Sequence, residues 1–529
     1  MEKRLVLSFI LSFLILYTWA SLAPKPVKNP PLLNSQLVEG AKEPSQIEDP
    51  KNEPEASQES ISKEKIYTLE AQGFVLNFSD VGGSINKISF NGYDLNMPLT
   101  NISTFEEYDE AIFDLIEQNE SSIEFISRVK DIEIRKKFIV NDNHTISVEN
   151  AIKNESSVTK TLPVLFKGFT LNMNRLDNSK VKADHDQSLF EYVLSTNSGI
   201  KRKNNAFKFN PKESVEKNEL VNWIGYRNRY YCAIAKPNFI SSGYTVRVVD
   251  EMRLDIIVHS SDNQFKPNEE KQFNFTYYFG PEKTEFLSTY KAGFESIKRY
   301  YKFWLFDSIA KFIDWIMKIL HKVIPNWGIS IILISILIYY GTYPLTARGM
   351  SSMKKMQALQ PKIQVLKEKY EKNPQKLNQE MLELYRREKI NPVGGCFPIL
   401  LQMPIFIGLY QVLWRNVDFK GASFLWIKDL SHADRLFVLN HNFPVIGNEI
   451  NLLPILMMVI MYFQQKFSSK NMVLSDPMQI QQQKMIAVIM PFFLGFIFYK
   501  FASGLTLYFT MFYIFSTVTQ WKLSKEPKK

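Results

Sequence analysis

Side chains able to do covalent or metal chemistry are few in this sequence and badly spaced for it. Two cysteines, Cys232 and Cys396, and six histidines occur in 529 residues. No HxxxH or HExxH pairing sets two imidazoles on one helix face, and two cysteines exclude both a disulfide scaffold and a cysteine zinc site. No Ser/His/Asp spacing and no paired-carboxylate signature stands out either. Enzyme activity, a metal centre and a cofactor are therefore not expected. What remains to do work is charge and apolar surface. The net charge is +10, 45% of residues are hydrophobic and 22% are charged. A basic balance of that size suits either a nucleic acid or a membrane surface, so its distribution must decide.

The distribution divides the chain. Lys3 and Arg4 precede a charge-free run from Leu5 to Ala23. A cleaved signal peptide and an uncleaved anchor both fit, although the run has the length of a bilayer span rather than of a signal-peptide core. Residues 1–23 are taken as an N-terminal transmembrane anchor. Residues 24–66 hold Pro24, Pro26, Pro30, Pro31, Pro44, Pro50 and Pro54 among polar residues, a composition that predicts a disordered linker. From 67 to 290 the pattern changes to period two. Ile123–Val129, Ile132–Val140 and His144–Ile152 predict strands, as do Tyr244–Val249, Arg253–His259 and Gln272–Phe279, so the unit reads as an all-β sandwich.

The second half is apolar. Residues 300–323 carry Phe306, Ile309, Ile313, Ile316 and Leu320 at helical spacing, with Asp307, Lys311, Asp314, Lys318 and Lys322 assigned to the opposite side. This predicts an amphipathic helix in the membrane interface. Charge-free runs follow at 327–346, 394–414, 451–465, 485–499 and 501–521. With the N-terminal anchor they make six predicted spans. The segment 347–393 carries eleven Lys and Arg residues, whereas 415–450 offsets Arg415, Lys420, Lys428 and Arg435 with four acids. Segments 466–484 and 522–529 are basic again. This alternation predicts cytoplasmic termini and a β domain on the outer side of the inner membrane. Within 347–393, Met356, Leu359, Ile363, Leu366 and Tyr370 predict one helix and Leu377, Met381 and Leu384 a second, broken at Asn373-Pro374. Their basic outer faces suit solvent, or a polyanion such as ribosomal RNA or lipid headgroups.

Several motifs then match a known family. Asn326-Trp327-Gly328, Tyr343-Pro344-Leu345-Thr346, Leu359-Gln360-Pro361-Lys362-Ile363, Asn391-Pro392-Val393-Gly394-Gly395-Cys396-Phe397-Pro398, Leu401-Gln402-Met403-Pro404-Ile405-Phe406 and Ser503-Gly504-Leu505-Thr506-Leu507-Tyr508 are similar, in order and spacing, to the YidC/Oxa/Alb membrane protein insertases. Val81-Gly82-Gly83-Ser84-Ile85 and Phe279-Gly280-Pro281 resemble the exported domain of Gram-negative members. The resemblance implies an α-helical polytopic membrane protein of six transmembrane helices, five forming the insertase core, plus an all-β periplasmic supersandwich domain. It implies nascent membrane proteins as clients, the phospholipid bilayer as their destination and the Sec translocon as a companion. The ribosome would meet the basic cytoplasmic loops and tail, and DNA is not expected.

The implied mechanism is a wet groove, open to the cytoplasm, that lowers the cost of moving a polar segment into the bilayer. Relatives carry an arginine five residues before the proline of the first core span. This chain has Tyr339 there, and no Arg or Lys lies between Trp327 and Thr346. Candidate groove-lining residues are then Ser335, Tyr339, Tyr340, Thr342, Gln402, Gln411, Tyr508 and Thr510, with Arg348 at the groove mouth. A passive assembly scaffold and a small-solute channel or transporter are the competing readings. The spans carry no acidic pair or charged relay that a transporter would use.

Overall fold

A computed structural model describes residues 64–525, apart from 72, 91–96, 143, 176–189, 206–208, 211, 213, 372, 389–396, 444–446 and 471–476. The expected anchor, the linker up to residue 63 and the last residues of the basic tail lie outside the described residues. The chain forms two compact units that divide between Glu282 and Lys283.

The first unit is built from β-strands. A ten-stranded antiparallel sheet runs Gly199–Asn205, Phe190–Thr196, Val221–Arg227, Tyr231–Pro237, Phe275–Pro281, Thr145–Asn154, Ile132–Asn141, Ser122–Val129 and Asp114–Gln118, with Glu270–Gln272 attached to Thr145–Asn154. A six-stranded sheet centres on Ser241–Asp250, Arg253–Ser260 and Leu165–Asn172. Ring contacts between Phe166 and Phe275 and between Phe169 and Tyr277 join the two sheets face to face. Alternate residues such as Ile123, Phe125, Phe138, Ile146 and Val148 are fully buried between layers. Each such side chain contributes about 1.5–3 kcal/mol by leaving water. The expected strand over Gln272–Phe279 is divided in the structure. Asn274 accepts a hydrogen bond from the Asn150 backbone at the break, so its side chain interrupts the ladder.

The Val81-Gly82-Gly83 motif has a local reason. Gly82 and Gly83 have φ of +69° and +50°, and a Cβ on Gly82 would lie 2.8 Å from the Asp109 carbonyl oxygen. The turn's carbonyls cover the fully buried Lys136, whose Nζ donates to Gly82 O, Gly83 O and Ser103 O at 2.6, 3.2 and 2.8 Å. Desolvation pulls this ammonium down to about 7.

The second unit is helical. After α1 (Thr284–Thr289) come α2 (Trp304–Val323), α3 (Trp327–Ala358), α4 (Gln360–Lys369), α5 (Pro374–Arg387), α6 (Phe397–Arg415), α7 (Leu452–Lys470), α8 (Pro477–Phe498) and α9 (Ser503–Lys525). Among the described residues one segment, Trp327–Ala347, is apolar and long enough to cross a membrane by itself; Leu452–Phe467 and Ala487–Phe498 are shorter apolar segments. Helices α6 to α9, of 19 to 23 residues, extend about 28–35 Å against roughly 30 Å of hydrocarbon. The short apolar runs at 451–465 and 485–499 thus become full-length helices by adding polar turns at one end.

Three expectations change in this unit. Helix α3 continues to Ala358, and the break falls at Leu359, because Pro361 lacks the N–H that a continuing helix needs and starts α4 instead. The β unit ends near residue 282, not 290, since α1 belongs to the helical unit. Asp314 is not on an outer polar face. It is buried, 3.1 Å from Lys298 Nζ and 3.5 Å from Lys318 Nζ, and accepts from Asn416 Nδ2 at 3.2 Å. Helix α2 has three faces. Ala310, Ile313 and Met317 pack inward, the lysines form a stripe, and Trp304, Phe312, Trp315, Ile319 and Val323 form a second, exposed apolar face. Gly408 of α6 permits a close crossing with α2, for its Cβ would meet Ile309 Cγ2 at 3.0 Å and Ala310 N at 3.2 Å.

Candidate functional site

Helices α3, α6 and α9 carry the polar side chains that the apolar runs would otherwise lack. A buried hydroxyl or amide must find a partner or lose about 1–3 kcal/mol. Most of these find one within their own helix. Ser335 Oγ donates to Ile331 O at 2.6 Å and Thr342 Oγ1 to Ile338 O at 2.8 Å on α3. Thr510 Oγ1 donates to Thr506 O at 2.7 Å on α9. Two bonds cross between helices. Gln402 Nε2 of α6 donates to Tyr508 OH of α9 at 3.1 Å, and Tyr339 OH of α3 donates to Thr519 Oγ1 of α9 at 2.8 Å.

These cross-links place the candidates at two levels. Tyr508 and Thr519 are eleven residues apart on α9, about 16 Å at 1.5 Å per residue. Tyr339 is 7% exposed and packs against Phe512 and Phe515 of α9. Tyr508 is fully buried, within the same apolar cluster as Leu409, Val412 and Met457. Tyr340 is 60% exposed, with its ring edge-on to Tyr339 and against Phe515 at the border of the bundle. Gln411 is half-buried, and its Oε1 has no hydrogen-bond partner. Arg348 lies on α3, but its side chain is outside the described residues. Sequence reasoning missed Thr519, Thr506, Thr517 and Gln520. For the last three a signal was available: Thr506, Thr510, Tyr513, Thr517 and Gln520 follow a 4-3-4-3 spacing that puts them on one side of α9, whereas Thr519 lies on the other side. Thr506, Thr510 and Gln520 are buried inside the helical unit rather than presented on its surface.

A second set of polar groups ties together one end of the bundle, and the charge pattern had given no hint of it. Asp434 Oδ2 accepts from Trp426 Nε1 at 3.0 Å and from Leu453 N, in the first turn of α7, at 2.8 Å. Asn451 Nδ2 donates to Tyr499 O at 2.7 Å, while Tyr499 OH donates to Glu449 O at 2.9 Å. Ser503 N donates to His432 O at 2.6 Å and Ser503 Oγ to Asp429 O at 3.0 Å. Burial would raise the Asp429 pKa, but hydrogen bonds from His432 and Ser431 outweigh it and hold the carboxyl at about 2. The described residues of the 415–450 segment therefore form a folded cap on the N-termini of α7 and α9. No cluster of three or more His, Cys, Asp or Glu suited to a metal occurs among the described residues.

The arrangement is a helix bundle with neutral polar side chains inside it and a β unit before it. Two family models match this order in tandem: the YidC periplasmic domain over residues 104–316 and the 60Kd inner membrane protein over 319–529. The chain belongs to the YidC family. Membership places it in the inner membrane. The membrane protein insertase YidC of Janthinobacterium sp. (strain Marseille) is 33% identical over 380 residues, 70% of this chain and 64% of that protein. That of Geobacter metallireducens is 27% identical over 558 residues, 99% of this chain and 98% of that one. The chain spans less than two thirds of the length of the first curated relatives it matches. A crystal structure of an active YidC insertase with its first transmembrane domain resolved overlaps 87% of this chain and 93% of its own, at 20% identity and a TM-score of 0.39.

Proposed function

We propose that this protein is a membrane protein insertase, which moves apolar segments of nascent inner-membrane proteins into the bilayer beside a polar, cytoplasm-open groove. The observation that carries this reading is the set of buried, uncharged polar side chains on α3, α6 and α9. Polar groups inside a membrane bundle are costly, and they are kept where something polar must pass. The two cross-linked levels cover about 16 Å of α9, roughly half of a 30 Å hydrocarbon layer, so a polar segment would cross only the remaining half without help. Moving a charge to the bilayer centre costs about 2.5–3.5 kcal/mol even on permissive scales, and halving that path is a useful reduction. An insertase breaks no bond, in keeping with a sequence that has no catalytic constellation.

The finer topology is part of the same proposal. Six spans follow from the apolar runs, a core of five of them from the family resemblance and cytoplasmic termini from the Lys/Arg alternation, and the folded cap within 415–450 then lies on the outer side. The β unit is read as a periplasmic supersandwich. The basic 347–393 segment and tail would meet the ribosome, and the Sec translocon is a further partner. Depletion of the protein followed by quantitative proteomics of the inner membrane tests the function. Selective loss of small membrane proteins with short translocated segments is expected; an unchanged membrane proteome, or loss of a solute flux alone, would overturn it.

A further inference from the structure

An apolar side chain that is both exposed and held in strained backbone needs a reason outside the fold, and the cap within 415–450 holds one. Phe424 and Ile427 exchange both backbone hydrogen bonds at 2.9 Å, so Leu425 and Trp426 form the two-residue tip of a hairpin. Leu425 has φ of +51°. A turn with positive φ at its first central residue normally has glycine there, because any Cβ crowds the following carbonyl. Leucine takes that strain and is still 76% exposed. The residues around it are anchored. Ile427 is 1% exposed, Trp426 Nε1 donates to Asp434 Oδ2 at 3.0 Å, and a Cβ on Gly328 would lie 2.1 Å from the Phe424 ring. The hairpin is held firmly while its tip stays uncovered.

The same contacts fix the height of the hairpin. Gly328 is in the first turn of α3, whose segment Trp327–Ala347 is apolar and long enough to cross a membrane. Leu430 O accepts from Gly504 N, in the first turn of α9, at 2.9 Å. The tip therefore sits level with the ends of two membrane helices, where hydrocarbon gives way to headgroups. Phe437 and Val438, 60% and 63% exposed, pair with Ile450 and Glu449 just before α7 begins. Lys428 follows the hairpin and Lys500 precedes α9, and both are exposed. Apolar side chains interleaved with lysines suit the boundary between acyl chains and headgroups, where each kind finds its own solvent. We propose that the Phe424–Ile427 hairpin is a membrane-dipping tip: Leu425 enters the acyl–headgroup boundary of the leaflet at that end of the bundle and, with Phe437 and Val438, ties the cap to the bilayer. The inference uses the membrane location of the protein and is independent of the insertase reading; the topology above says only that the leaflet is the outer one.

The test uses the full-length protein, carrying Cys232→Ala and Cys396→Ser, alone in phosphatidylcholine nanodiscs. One fluorophore is attached in turn to Leu425→Cys, to Leu337→Cys and to Ser121→Cys. Leu337 is 51% exposed within the apolar segment of α3 and serves as the lipid reference, while Ser121 is exposed on the β unit and serves as the water reference. Aqueous iodide and phosphatidylcholine brominated near the top of its chains are the quenchers. Iodide should quench the label at Leu425→Cys about threefold less than at Ser121→Cys, and the brominated lipid should quench it at least as strongly as at Leu337→Cys, as a tip buried in the headgroup–acyl boundary requires. Val438→Cys should give the same pattern, and it keeps the test decisive where the hairpin does not tolerate a label. Iodide quenching equal to that at Ser121→Cys, with no effect of the brominated lipid, would overturn the proposal. Shielding in native membranes that is absent from the discs would also overturn it, by assigning the tip to a protein partner.

Discussion

Replacing Asp314 with leucine should loosen α2 from the bundle, and the size of the effect follows from its partners. The carboxylate is 6% exposed and lies 3.1 Å from Lys298 Nζ and 3.5 Å from Lys318 Nζ, with Asn416 Nδ2 at 3.2 Å. Removing one member of a buried ion pair costs about 3–5 kcal/mol, because the other charge is left without compensation. Here the cost is smaller. The Lys318 side chain is 23% exposed and keeps Glu285 at 2.7 Å, so only Lys298, at 11%, is stranded, and the expected loss is about 2–3 kcal/mol. The Asp314→Leu/Lys298→Met double variant removes both charges and should regain most of the loss, since a packed apolar pair costs little relative to a buried ion pair. The fraction remaining monodisperse after heating in mild detergent gives the stability, and insertion of a single-span client gives the function. The single variant should lose both, and the double should recover both. A single variant as stable as the parent, or a double variant no better than the single, would show that Asp314 does not hold α2 in place.

Further outcomes are expected from the same structure. Lys136 has its pKa lowered by burial to about 7, below its value in the unfolded chain, so the unfolded state binds more protons between that value and about 10.4 and the β unit should gain stability as pH rises from 7 toward 10. Urea midpoints read by protease resistance of the intact protein check this, and the Lys136→Met variant should show a flat profile over that range. Tyr339→Phe keeps the rings against Phe512 and Phe515 but loses the bond to Thr519, a cost of about 0.6 kcal/mol for an interhelical hydrogen bond in a membrane bundle, whereas Tyr339→Leu should also slow client insertion. Gly328→Ala would set a Cβ 2.1 Å from the Phe424 ring and should lower heat resistance by about 1–3 kcal/mol through overpacking. Deleting residues 68–280 should leave insertion of a small client largely intact, whereas deleting 300–322 should abolish it; loss of activity in a stable β-unit deletion would contradict the assignment of the groove to the helical unit.

The two-part organisation was legible in the sequence because it depends on local periodicity. Alternation over Ile123–Val129 and Ile132–Val140 gives adjacent strands Ser122–Val129 and Ile132–Asn141, and Asn373-Pro374 starts a helix whose N-cap is Asn373. A side chain's period along the chain fixes which face it occupies, whatever the face later meets. What a face meets is decided by packing between distant segments. The sequence placed Asp314 with the lysines of α2, since Asp314 and Lys318, four residues apart, differ by only about 40° around a helix and look like one polar stripe. Only the approach of Asn416, 102 residues later, turned one edge of that stripe inward. Tyr339 is a departure from a family motif when read in sequence; its partner Thr519 is 180 residues away, and no local rule could supply it. The same holds for Asp434 and Leu453, and for Lys136 beneath the Gly82-Gly83 turn 53 residues before it. Sequence therefore determined which segments are β, which are apolar helices and that the spans carry no charge. Tertiary structure alone decided which neutral oxygens lie buried together, because a hydrogen bond between helices depends on position in space and leaves no periodic trace in the chain.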